Sequence, residues 1–136
     1  KNGTKVSEGT SLDDIQLIPG FHFLSLQHAI KDYLIFIEDE QWNPLWFPVF
    51  ANGGGDFYAV DLSDSDGHSA PILGFIMGES EQEIEYESLS AMLRTFSECV
   101  EAGIVFKSPN GFLEMDDSRL AEVAARLNPF VDFWKN

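Results

Sequence analysis

Residues 46–62, WFPVFANGGGDFYAVDL, constrain the fold more than any other part of the sequence. Two runs rich in aromatic and β-branched residues, which favour strands, flank the linker Asn52-Gly53-Gly54-Gly55. Glycine adopts positive φ without steric cost, so the linker predicts a tight turn between antiparallel strands. We therefore expect a hairpin with strands over residues 45–51 and 56–62.

Helical spacing of apolar residues predicts three helices. The first follows the N-cap Ser25, the second ends with Gly103 as its C′ residue, and the third begins near Asp116. The stripes expected to be buried are Leu26, Ala29, Ile30, Tyr33, Leu34 and Ile37; then Leu89, Met92, Leu93, Phe96 and Val100; then Leu120, Val123, Ala124 and Leu127.

Further strands are predicted over residues 15–19 and 72–77, and a final hairpin over 104–106 and 112–115. Glutamates alternate with apolar residues from Glu83 to Glu87, so a strand there would turn Ile84 and Tyr86 inward and Glu83, Glu85 and Glu87 outward. The whole pattern indicates an α+β fold, a mainly antiparallel (mixed) sheet flanked by helices, in a single domain over residues 1–136.

Charge is the strongest compositional feature. The chain has 23 Asp and Glu against 8 Lys and Arg, a formal net charge of −15. Nucleic acids and anionic membranes need basic groups, so we expect neither as a partner. The charge suits a basic protein partner, although an acidic surface that only keeps the protein soluble explains it equally well. The lone Cys99 and the lack of an apolar run of membrane-spanning length favour the cytoplasm.

The triple glycine does not match a phosphate-binding motif. A dinucleotide fingerprint starting at Gly53 would need glycine where the chain has Tyr58, and no Gly-Lys-Ser/Thr follows to make a P-loop. The three histidines lack metal-ligand spacing, and Cys99 falls beside a buried helix stripe, where thiols are usually inert. We therefore predict no catalytic residue, no cofactor and no metal, and a protein that is not an enzyme.

The acidic loop DLSDSDG resembles a calcium loop only at first sight. Placing Gly67 at the sixth position puts Leu62 and Leu73 where calcium loops need carboxylates. An irregular, weak cation site at Asp61, Asp64 and Asp66 stays an alternative to a solvated loop.

Aromatic residues are dense on the two predicted hairpin strands. If residues alternate between the sheet faces, one member of Trp46/Phe47 and one of Phe57/Tyr58 is exposed, unless both faces are covered. An exposed aromatic among acidic groups would suit a protein-binding anchor.

The hairpin block resembles the signature of the Smi/Knr family of the SUKH superfamily. The motif residues that match are Trp46, Pro48, Gly53, Gly54, Gly55, Asp56 and Tyr58. Weaker similarities lie at residues 88–96 and at Asn128-Pro129. The amino-terminal helix usual in the family would lie before Lys1. The motif residues are expected to be mainly structural, with Pro48 at an edge or bulge and Asp56 bonding turn amides.

The resemblance implies an α+β fold and a non-enzymatic, protein-binding role. Bacterial members are largely immunity proteins of polymorphic toxin systems, and fungal members regulate cell-wall synthesis. Together with the charge, this predicts an immunity protein that neutralises a basic toxin domain, such as a nuclease. The alternative is a regulatory scaffold domain, like the fungal regulators of cell-wall synthesis. The residues predicted to bind the partner are Asp61, Asp64, Asp66, Glu79, Glu81, Glu83 and Glu85.

Overall fold

A computed structural model describes residues 16–63 and 69–135 of the chain. Within them one antiparallel sheet has the order β1-β2-β3-β4-β5, with strands His22–Phe23, Trp46–Ala51, Phe57–Asp61, Ile72–Phe75 and Glu83–Tyr86. The helices are α1 (Leu26–Phe36), α2 (Leu89–Glu101) and α3 (Asp117–Leu127). A separate hairpin, β6 (Val105–Lys107) and β7 (Leu113–Met115), lies between α2 and α3 in the chain, and a short 3-10 helix, Asp132–Trp134, follows α3. The predicted α+β fold with a mainly antiparallel sheet is confirmed.

The predicted β2–β3 hairpin is confirmed, and its turn needs glycine at two positions. Gly53 and Gly55 have φ values of 82° and 104°, which side chains rarely adopt. The Asn52 amide donates to the Asp56 carbonyl at 3.2 Å and closes the turn. Strand pairing then runs from Ala51↔Phe57 to Trp46↔Asp61, so the short linker sets the register of the sheet's centre.

Both faces of the sheet are covered. On one side, Phe57 is buried in a cluster that Phe36 of α1 and Trp42 complete. On the other, Tyr58 packs against a cluster to which α2 and α3 contribute. Trp46 and Phe47 both pack against the first cluster instead of splitting between inside and outside. The expected exposed aromatic anchor on β2 and β3 is therefore absent, because each face meets a helical layer.

The stripe predicted for α1 is partly wrong. Ala29 is buried and Tyr33 and Ile37 are half-buried, as predicted, but Leu26, Ile30 and Leu34 are exposed, and Phe36 is half-buried against the sheet instead. Both sets recur at helical spacing, so periodicity alone does not choose between them. The aromatic contacts decide the orientation, since the Phe36 and Phe57 rings lie 4.8 Å apart, edge to face.

The stripe predicted for α2 is also partly wrong. Leu93 and Val100 are exposed, and the buried side is Ala91, Met92, Thr95, Phe96 and Cys99. Small residues on this side allow α3 to approach closely, and the Thr95 hydroxyl accepts a bond from Asn128 at 3.2 Å. On α3 the predicted stripe is confirmed, with Leu120 and Ala124 buried.

The strand predicted over residues 15–19 is wrong within the described part of the chain, and Ile15 lies outside it. Ile18 and Phe21 form an isolated bridge around Gly20, whose φ is 84°. The chain then enters β1 at His22, a strand too short for a sequence pattern to show. No helix of the described residues is long and apolar enough to cross a membrane.

Asn128 joins three elements although its side chain is fully buried. Its oxygen accepts from the Glu87 amide at 3.0 Å, and its nitrogen donates to the Ala124 carbonyl at 2.9 Å and to the Thr95 hydroxyl. The side chain thus provides a hydrogen-bond donor to a carbonyl in the last turn of α3 and links this helix to the end of β5 and to α2.

We expect Asn128→Ala to lower the free energy of unfolding by about 3 kcal/mol, because it leaves the Glu87 amide and the Thr95 hydroxyl without this partner in the core. Urea unfolding measures the change. Gln27→Ala, which removes an exposed amide from α1, serves as control and should change stability by less than about 0.5 kcal/mol. Equal effects of the two variants would contradict the linking role.

Candidate functional site

The connection between β4 and β5 forms an acidic surface. Glu79 and Glu81 are exposed on this loop, and Glu83 is exposed at the start of β5. Together with Ile76 and Phe133 they line one shallow cavity of about 140 Å³. Ile76 and Phe133 are 50% and 40% exposed, so apolar groups lie among the carboxylates. We call this set of five residues the acidic surface.

Two glutamines hold the loop in place. Gln41 donates to the Glu79 carbonyl at 2.8 Å and accepts from the Gly78 amide at 3.1 Å. Gln82 accepts from the Ile76 amide at 2.8 Å and donates to the Ile76 and Glu79 carbonyls. These side chains replace the strand hydrogen bonds that a loop lacks, so the backbone carrying the three glutamates is well anchored.

Asp56 also anchors this loop. Its Oδ1 accepts from the Met77 amide at 3.0 Å, and its Oδ2 accepts from the Asn52 side chain at 3.1 Å. The prediction that Asp56 bonds the turn amides is wrong, because Asn52 does so: its Oδ1 accepts from the Gly54 and Asp56 amides at 2.8 and 3.1 Å. The motif carboxylate therefore connects the glycine turn to the acidic surface.

The other motif residues have mainly packing contacts. Pro48 is fully buried beside the register shift in β2, a bulge as predicted. Gly55 lies against Met77, and a Cβ at position 55 would come within 2.8 Å of its Sδ atom. Trp46 packs edge to face on the Trp42 ring at 5.9 Å.

Glu85 also lines this cavity, but it is largely buried, unlike the three exposed glutamates, and its predicted outward orientation is wrong. Ile72 pairs with Tyr86 but Leu73 pairs with Ile84, so Glu85 is the extra residue of a bulge. Its carboxyl lies over Gly74, where any Cβ would overlap its Oε2 atom. The Glu85 carboxyl is hydrogen-bonded to the Tyr58 hydroxyl. The backbone carbonyl of Glu85 accepts a hydrogen bond from the Trp134 indole.

Burial dominates the electrostatics of this pair. Desolvation, followed by the charge of Glu83, raises the pKa of the Glu85 carboxyl from 4.5 to about 7, and the hydrogen bond from Tyr58 opposes the shift. Desolvation and the neighbouring Glu85 also raise the pKa of Tyr58. Glu85 is thus an uncharged acid below neutral pH, unlike a surface glutamate.

Glu85 makes stability depend on pH. Its folded pKa exceeds its unfolded value, so the stabilisation is complete below pH 4.5 and is lost as the pH rises through about 7. We expect Glu85→Gln, which resembles the neutral acid, to be more stable than the parent by up to about 3 kcal/mol at about pH 8. Urea unfolding at about pH 5 and pH 8 tests this. Glu81→Gln serves as the control and should unfold with the same pH dependence as the parent. If Glu85→Gln also kept the parent's pH dependence, Glu85 would not be its source.

The aspartates predicted to bind a partner do not join the acidic surface. Asp61 lies at the carboxyl end of β3, whereas the acidic loop lies beside its amino end, so they mark opposite ends of the strand. One Asp61 oxygen accepts from the Ser63 amide at 2.9 Å. Asp64 and Asp66 lie outside the described residues.

The described residues offer neither a metal site nor a reactive thiol. Among them, no group of three or more His, Cys, Asp or Glu could hold a metal ion. Cys99 is fully buried, and burial raises the pKa of its thiol, so it is a poor nucleophile in this position.

The chain belongs to the SMI1 / KNR4 family (SUKH-1), whose family model matches residues 1–95. The match contains the glycine turn, Asp56 and the acidic loop, and it ends within α2, short of Asn128. Membership indicates an immunity or a regulatory role exercised through protein binding, in a family that is generally non-enzymatic. No protein in a search of curated proteins matches the chain.

Proposed function

We propose that this protein is an immunity protein that binds and neutralises a basic toxin domain through the acidic surface. The observation that supports this most directly is the cavity that three exposed glutamates share with Ile76 and Phe133, beside a loop that side-chain hydrogen bonds hold in place. A fixed loop loses little conformational entropy on binding, which favours affinity.

The composition of the acidic surface suits a protein interface. Apolar side chains at the centre supply the contact area, and charged groups at the edge set orientation and partner choice. Ile76 and Phe133 provide the first, and Glu79, Glu81 and Glu83 provide the second. Glu85 lines the same cavity but is neutral below about pH 7, so it adds little charge there under those conditions.

The net charge of −15 supports a basic partner. An enzyme that cleaves nucleic acid must attract phosphates and therefore presents a positive surface. The acidic chain would be drawn to that surface by long-range attraction, and covering it would exclude the substrate. We place this encounter in the cytoplasm, where the single Cys99 stays reduced.

The gene next to this one supplies the test partner. Co-expression should rescue cells from the toxin domain it encodes, and the purified pair should bind with salt-sensitive association. A neighbouring gene without toxicity, or toxicity that co-expression does not relieve, would favour the regulatory alternative.

Charge reversal tests the surface itself. We expect the triple variant Glu79→Lys, Glu81→Lys and Glu83→Lys to weaken binding by at least about 100-fold, because like charges then face each other at the interface. The control, Glu101→Lys, Glu114→Lys and Glu122→Lys, alters exposed glutamates on α2, β7 and α3 and produces the same net charge. Comparable losses in both variants would show that only overall charge matters and would overturn the assignment of the surface.

A further inference from the structure

A second cavity, of about 390 Å³, shares no lining residue with the cavity of the acidic surface. It lies where β1, α1 and the glycine turn meet. Leu24, Ala51 and Phe57 are its buried apolar lining. Gly53 and Gly55 line it from the turn, and without side chains they leave the cavity open on that side.

The polar lining comes from β1 and α1. It consists of His22, His28, Lys31 and Asp32. The residues that line the cavity from β2, the turn and β3 do not titrate. Two of the three histidines of the chain thus meet a carboxylate and an ammonium group in one cavity.

No direct contact balances the charge of the Asp32 carboxylate. The residue is half-buried, and its carboxylate makes no hydrogen bond or ion pair with any residue that the structure describes. Desolvation raises the pKa of its carboxyl, and the more distant charges of His28, His22 and Lys31 only reduce that shift. A carboxylate that has lost water without gaining a direct partner attracts a cation strongly.

The neighbouring imidazole does not neutralise Asp32 at neutral pH. Burial, and to a lesser degree His28, lowers the pKa of His22 below 6.5, against the opposing effects of Asp32 and of a hydrogen bond to Ala51. His22 is therefore uncharged under these conditions. Lys31 is exposed, so water screens its charge. The cavity also lies in the field of a chain with net charge −15, which disfavours an anionic guest.

We propose that this cavity binds an arginine side chain of the partner protein, with the guanidinium paired to Asp32 and its stem packed on Phe36 and Phe57. A guanidinium is planar and weakly hydrated, so it bonds a carboxylate through two N–H groups and also packs on aromatic rings. The Phe36 and Phe57 rings meet edge to face at this cavity. The identity of the partner rests on the proposed function, but the preference for a guanidinium does not.

The pH dependence of binding distinguishes a cationic ligand from an anionic one. As the pH falls, the His22 imidazole gains positive charge, which weakens the binding of a guanidinium. A carboxylate or phosphate bound by Lys31 and His22 would instead bind more tightly.

The probe is N-acetyl-arginine amide, titrated into the full chain labelled with ¹⁵N. We expect binding on the order of millimolar, with amide shifts at residues 22, 32, 53 and 55. Affinity should fall as the pH is lowered from about 7.5 to about 5.5, because His22 gains positive charge. N-acetyl-glutamate amide should bind more weakly than the arginine probe at the higher pH. Shifts located elsewhere, or preference for the glutamate probe, would overturn the proposal.

Asp32→Asn should weaken binding of the arginine probe at least about fivefold. Glu38→Gln removes the same charge from an exposed position just beyond α1 and should retain the affinity. Dispersed amide spectra will show that both variants fold. Unchanged binding by Asp32→Asn would contradict the role of this carboxylate. The variant with the acidic surface reversed should still bind the probe, so failure of the proposed function and failure of this site are distinguishable.

Discussion

The Asp56 carboxylate joins the glycine turn to the loop that follows β4. One oxygen accepts from the Met77 amide, and the other accepts from Asn52, whose own oxygen caps two amides of the turn. The acidic surface lies on one side of this connection, and the cavity beside α1 is lined by the turn on the other. The geometry of both candidate sites therefore depends on a few hydrogen bonds between side chains and backbone.

If the proposed role is right, the two sites would engage the same basic partner by different means. The acidic surface presents charge around exposed apolar groups, which suits a broad basic patch. The cavity presents one half-buried carboxylate over aromatic rings, which suits a single side chain. A partner that engaged both would gain electrostatic attraction from the surface and specificity from the cavity, since a poorly fitting guest leaves Asp32 desolvated and unpaired.

The hairpin, the caps at Ser25 and Asp116 and the stop at Gly103 were predictable from sequence because each depends on local chemistry. The buried side of α1 was not, since two apolar stripes share one helix and only packing on Phe57 chooses between them. The burial of Glu85 depends on a bulge, and one inserted residue reverses the alternation on which strand predictions rest.

The glutamates of the acidic surface were predictable as a group from their clustering, but their separation from Asp61 required the strand register. The cavity beside α1 gave no sequence signal. Its residues come from segments far apart in the chain, and His22, His28 and Asp32 have no motif spacing. Asn52 and Gln82 were missed for a different reason: an amide that bonds loop backbone looks like any other polar residue until the loop is folded.

The central claim is that the family motif, through Asp56, holds in place the loop that carries the acidic surface. Amide hydrogen exchange of Asp56→Ala, compared with Asp61→Ala, tests it most directly. Loss of the Asp56 bond to Met77 should speed exchange across residues 76–82 by about tenfold or more, while amides of β3 and β4 remain protected. Asp61→Ala should leave this loop unchanged. If exchange across residues 76–82 were the same in Asp56→Ala as in the parent chain, the motif would not hold the loop and the account would be wrong.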